Sequence, residues 1–335
     1  MISRRLLALA GVFFLIPVRA QTLDPARLGI LYNLDDAASR QVAFYYAAQR
    51  RVPVENLVGL HLPSTAVMTP AAFAAVRMRS LDQLPAAVQS LALVWSKPYA
   101  VDCMSITSAF AAGYRSEFCQ AGCARTPNNP LFNADGWLPA DTVGWWPAML
   151  LPSADPALAR SLIQRGMAAD GSKPPGTLFL AHSTDAVRNV RAAQYEGAAA
   201  ALAGRLQVVQ LRPPIAREIP DAVGYFTGAV HVAELPLIHF RPGALADHLT
   251  SSGGVLEGGS QMSALSWIGQ GATASYGSVS EPCNLLEKFP DVKVLFEHYR
   301  RGETALEAYW KSVAMPGQGL FIGEPLARPY ATRPR

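Results

Sequence analysis

The chain has 335 residues, half of them hydrophobic and only 16% charged, which is length enough for one large α/β domain or two small ones. Its formal charge of +4 falls when the first twenty residues are set aside, because they hold three arginines and no acids, leaving 26 basic against 25 acidic groups. With that balance, and with no Lys/Arg cluster interleaved with aromatics, a nucleic-acid partner is excluded.

Met1–Ala20 reads as a secretory signal: Arg4 and Arg5, an apolar run from Leu6 to Val18, and a small-residue ending before Gln21. The run is short for a spanning helix, and no other stretch reaches roughly 18 uninterrupted apolar residues, so no membrane span is expected once the signal is removed. Cleavage after Ala20 would deliver the chain to the periplasm or the medium.

Strands and helices then alternate. Leu28–Leu34 is an apolar strand, and Asp35 and Asp36 supply an N-cap for a helix over Ala37–Arg50. A strand over Asn56–Leu62, a helix opening at Thr69-Pro70 and a strand over Leu91–Trp95 follow. Residues 114–147 interrupt the rhythm with two cysteines, four prolines and three tryptophans, an irregular excursion whose natural ties are Cys119 and Cys123. Trp137, Trp145 and Trp146 are expected to pack it onto the sheet.

The rhythm resumes with Ala148–Pro152, a helix over Pro156–Ala169 capped by Asp155, and a strand over Thr177–His182. An Ala-rich helix to Gly204 and strands over Leu206–Leu211 and Val223–Thr227 come next. Helices over Lys293–Arg301 and Glu303–Ala314 precede a short final strand. The expectation is an α/β fold, a mostly parallel sheet flanked by helices. It is taken as a single domain over 21–335, with residues 170–176 the candidate division into two subdomains.

The stretch from Phe240 to Asn284 is dense in Gly, Ser and Thr and carries Asp247, His248, Glu281 and Cys283 between two apolar runs. Such glycines bring backbone close to a ligand or to another main chain. Polar groups at adjacent strand ends of an open α/β sheet face one crevice. Arg241, Asp247 and Glu281 are therefore candidate binding residues.

Cys103, Cys119, Cys123 and Cys283 form an even set in an exported chain, which favours disulfides, Cys103, Cys119 and Cys123 being the candidates for at least one bridge. Zinc is the rival reading of Cys119-x-x-x-Cys123, but no His lies between Cys103 and Cys123, and no metal site is expected. The signatures GxxxxGK, GxSxG and HExxH do not occur, so no cofactor is expected.

Several long motifs, among them YNLDDAASRQVAFYYAAQRRVPVENL, RPGALADHLTSSGG, GATASYGSVSEPCN and EAYWKSVAMPGQGLFIGEPLARP, closely resemble a family of exported bacterial proteins found with exosortase and PEP-CTERM protein sorting. The resemblance covers nearly all of the chain beyond residue 20. It implies export and a link to surface sorting, the envelope or exopolysaccharide, with an envelope or sorting protein as partner, and no established reaction. A more distant resemblance, carried by GEPLAR behind ALEAYWKSV and GATASYGSV, is to the gingipain-type, caspase-like fold. Those peptidases use a His and a Cys at successive strand ends. Neither aligned position, near Gly228–Val230 and near Phe240–Gly243, holds that residue here, although His231 is close.

Two main readings follow, beside a lesser one in which carboxylates such as Asp247 and Glu281 serve a hydrolase of a different kind. One is a non-catalytic binding or scaffold protein on a caspase-like frame. The other is a cysteine hydrolase with a relocated dyad, Cys283 as nucleophile with His248 or His231 as base, which requires Cys283 to be a free thiol.

Overall fold

The computed structural model describes residues 22–119 and 123–332. The expected signal peptide lies outside them. In chain order the first part comprises β1 (Leu28–Asn33), α1 (Ala37–Arg50), β2 (Leu57–Leu60), β3 (Val67–Met68), α2 (Pro70–Gln83), β4 (Ser90–Val94), β5 (Ala100–Val101), β6 (Met104–Ser105), α3 (Ile106–Ala112), α4 (Pro139–Val143), β7 (Ala148–Leu150) and α5 (Pro156–Ala169). The second comprises β8 (Thr177–Ala181), α6 (Tyr195–Leu202), β9 (Gln207–Leu211), β10 (Ile219–Thr227), β11 (Ile238–His248), α7 (Ala264–Gln270), β12 (Ala274–Ser278), α8 (Val292–Arg300), α9 (Ala305–Ser312) and β13 (Gly319–Gly323).

The helices begin where the sequence caps them. Asp36 accepts from the Ala38 amide, Thr69 from Ala72, and Asp155 from Ala157 and Leu158. Thr304 and Glu307 form a reciprocal capping box on α9, every residue of which is buried.

Ten strands form one mostly parallel sheet in the order β2-β1-β4-β7-β13-β12-β11-β10-β8-β9, and a small second sheet is ordered β3-β5-β6. The fold is thus α/β, with helices flanking the sheet. Its strands are almost wholly apolar because both faces are covered. The final strand joins the two groups: β13 pairs antiparallel with β12 along Ala274–Ser278 and meets β7 where Ile322 lies opposite Leu150.

The carboxyl ends of both groups share one rim. Lys97, just past β4, reaches Glu257, in the loop after β11, at 2.5 Å. The amino ends share the other rim, where Asp170, between α5 and β8, pairs with Arg50 at the end of α1 and accepts from the Arg328 amide at 3.0 Å.

Two features depart from the sequence reading. Strand β11 runs from Ile238 through Pro242 and Gly243 to His248, into the stretch read from the sequence only as dense in Gly, Ser and Thr. Pro242 and Gly243 usually interrupt a strand. Here Gly243 takes φ +88°, its N–H donates to the Thr273 hydroxyl at 2.9 Å, and its carbonyl accepts from Tyr299, also at 2.9 Å. Side chains thus replace the ladder bonds that the irregularity removes. Inside the Gly-rich stretch, α7 opens on Ser263, which accepts from the Leu265 amide, a short helix masked by the glycines around it.

Candidate functional site

Apart from Arg241, the candidate catalytic and binding residues gather on the carboxyl rim. There β10 passes through Gly228 towards His231, β11 ends at His248, and β12 leads to Glu281 and Cys283. The glycines of this stretch serve close main-chain packing. The Gly254 amide donates to the Ser278 carbonyl at 2.8 Å, and a Cβ on Gly277 would overlap the backbone of Gly253 and Gly254.

The structure does not assemble the Cys283/His248 dyad. Cys283 is bonded to Cys123, and Cys103 to Cys119, so no described cysteine carries a free thiol. The Cys283 amide donates to the Glu281 carboxylate at 2.7 Å, which fixes Glu281 as a turn acceptor beside the bridge.

His248 is fully buried. Its Nδ1 accepts the Trp267 indole N–H at 2.9 Å, so the proton sits on Nε2, which donates to the Met262 carbonyl at 3.0 Å. Burial pushes its pKa down to about 3, and the hydrogen bond to Met262 only partly opposes this. An imidazole with both nitrogens committed and its charged form disfavoured is a poor base. The sequence expectation of a catalytic His248 is corrected on that ground.

Asp247 is equally enclosed. It forms a buried ion pair with Arg191, whose Nη2 donates to the Pro290 carbonyl at 3.1 Å and whose guanidinium stands 5.1 Å from the Phe226 ring centroid. Desolvation raises the Asp247 pKa against the pull of Arg191, while Arg191 is held charged by Asp247 in spite of its own burial. Asp247 is therefore a clamp between β11, the turn before α8 and the segment after β8, and it is closed to ligand. Arg241 is partly exposed and pairs with Asp221 on β10, near the amino ends of those strands and away from the other candidates.

His231 is exposed and has no hydrogen-bond partner among the described residues. Around it lies a polar network that the sequence did not single out. Arg188 donates to Asp185 at 2.9 Å and, through Nε, to the Thr250 hydroxyl at 3.2 Å. Thr250 donates to Gln261 Oε1 at 2.7 Å, which also accepts from the Ser252 amide at 2.8 Å. Arg188 and Arg191, three apart after a strand, were the available signal. The network locks the loop over 249–263 and presents hydrogen-bonding groups, with no thiol among them.

The tryptophans of the excursion behave as packing groups. Trp137 is buried and donates to Ser90 at 2.9 Å, and Trp145 meets Trp310 edge-on at 6.3 Å. Trp146, under the Arg77 guanidinium, lines an apolar groove of about 560 Å³ beside α2. Among the described residues no cluster of three metal-ligating side chains occurs, and no helix is long and apolar enough to cross a membrane.

The fold and rim together define a large, mostly parallel α/β protein with a disulfide-braced carboxyl edge. No protein-family model, curated protein or solved structure matches the chain.

Proposed function

We propose that this chain is an exported, non-catalytic binding or scaffold protein serving exosortase/PEP-CTERM sorting or a related envelope or exopolysaccharide function, on a caspase-like frame. The observation that carries the reading is the Cys123–Cys283 bridge, which withholds the one thiol at the end of β12. The neutral, doubly hydrogen-bonded His248 supports it, as does a rim whose polar groups are tied to one another. Two disulfides suit an oxidising compartment outside the cytoplasm. Export rests further on Met1–Ala20, and the sorting link on the motif resemblance described above.

The test is labelling of unreduced native protein with an active-site-directed alkylating peptide, beside N-terminal sequencing of exported material. No labelling and a start at Gln21 are expected. Stoichiometric reaction at Cys283, abolished by His231→Ala, would replace the scaffold reading with a hydrolase; a mature chain retaining residues 6–18 in the membrane would replace the exported form with an anchored one.

A further inference from the structure

On the amino rim, away from the polar network, a cavity of about 450 Å³ opens between the segment before β8, the segment before β9 and the end of α8. Its lining includes Lys173, Arg205 and Arg300 and no carboxylate. None of the three cations has an ion-pair partner among the described residues. Asp221, whose backbone crowds Gly176 at the cavity wall, is paired with Arg241.

A cation at a helix carboxyl end is favoured by the helix dipole, which accounts for Arg300 but not for the convergence of two more from separate segments. Arg300 is fixed by standing over the Tyr330 ring, 4.7 Å from its centroid.

Lys173 supplies an independent indication. It adopts φ +48°, a left-handed conformation that Gly or Asn takes more readily than lysine. The conformation is held by its amide, which donates to the Pro329 carbonyl at 2.9 Å. A residue kept in a disfavoured backbone state at a cavity rim points to a use for its side chain. Lys173 lines the same space as Arg205 and Arg300.

We infer that this cavity binds a phosphate-bearing small ligand. Two guanidinium groups with donors in a fixed plane, plus one compact ammonium, suit a tetrahedral group carrying close to two negative charges. The inference stands apart from the function proposed above, which concerns the opposite rim, and either can fail without the other.

The test is calorimetric titration of the full exported chain with pyrophosphate, and with citrate as the carboxylate comparison, each at ionic strength matched with sodium chloride. Pyrophosphate is expected to give a saturable signal and citrate a weaker one. Arg205→Gln and Lys173→Asn should each weaken pyrophosphate roughly tenfold to a hundredfold, the loss of one charge-assisted hydrogen bond. Arg212→Gln, at the far end of β9, should bind as the parent does. Lys173→Asn should keep or raise the thermal midpoint, since asparagine tolerates the left-handed backbone, so lost binding would not be lost folding. No saturable signal, unchanged affinity in both pocket variants, or citrate binding as tight as pyrophosphate would each overturn the assignment.

Discussion

At the scale of single residues, Arg191 and Asp247 carry the largest stake in stability. Each is fully buried, so removing one leaves the other charged and unpaired. Asp247→Ala should cost about 3–5 kcal/mol in urea unfolding, and the pair Arg191→Met with Asp247→Leu should cost less than the sum of its parts. Strict additivity would mean the two do not act as a unit. His248 sets a second expectation. Its folded pKa, about 3, lies below its ordinary value of 6.5, so between those limits the unfolded chain takes up a proton that the native imidazole refuses. Its contribution is therefore fully present above about pH 6.5 and lost as pH falls towards 3. His248→Gln should flatten the acid limb of the stability profile by up to about 1.4 kcal/mol per pH unit. Buried carboxyls such as Glu307, raised to about 7 by desolvation, act in the opposite sense in both proteins and cancel in the comparison. Parallel acid limbs would show that His248 titrates normally.

Among the elements, the excursion over 114–147 is held by covalent ties at its start and by aromatic packing at its end. Cys103–Cys119 spans 16 residues and Cys123–Cys283 spans 160. In the chain-entropy account the longer loop stabilises more, about 5 kcal/mol against about 3. Replacing Cys123 and Cys283 with serine should lower the thermal midpoint more than replacing Cys103 and Cys119. Alkylation should find no thiols before reduction and four after. The reverse ranking would place the stabilisation in native contacts of the short loop. Helix boundaries were legible because caps are local: Asp36, Thr69 and Asp155 stand where the sequence puts them. The continuation of β11 through Pro242-Gly243 was not, because the groups that repair the break, Thr273 and Tyr299, come from 30 and 56 residues further on.

For the whole molecule, the alternation of strands and helices announced an α/β sheet, but strand order is not a local property. Nothing in GLFIG distinguishes an edge strand from a central one, yet β13 is buried along its full length between β7 and β12. The candidate site was legible only as a place. Asp247 and His248 do lie at the end of one strand, but their burial follows from Arg191 and Trp267, distant partners that convert two apparent ligand contacts into framework. Ending the chain after Gly317 should therefore do more than trim it. It would expose unpaired edges on β7 and β12, and a truncated protein should unfold without cooperativity and aggregate. A soluble truncation with a sharp transition would show that the two strand groups stand alone.

The position of β13 also orders events in time. The other described strands of the sheet are made first, yet the sheet stays divided down its middle until residues 319–323 emerge. Closure then couples the two groups in one step, and that step involves strands more than 160 residues apart in sequence, such as β7 and β13.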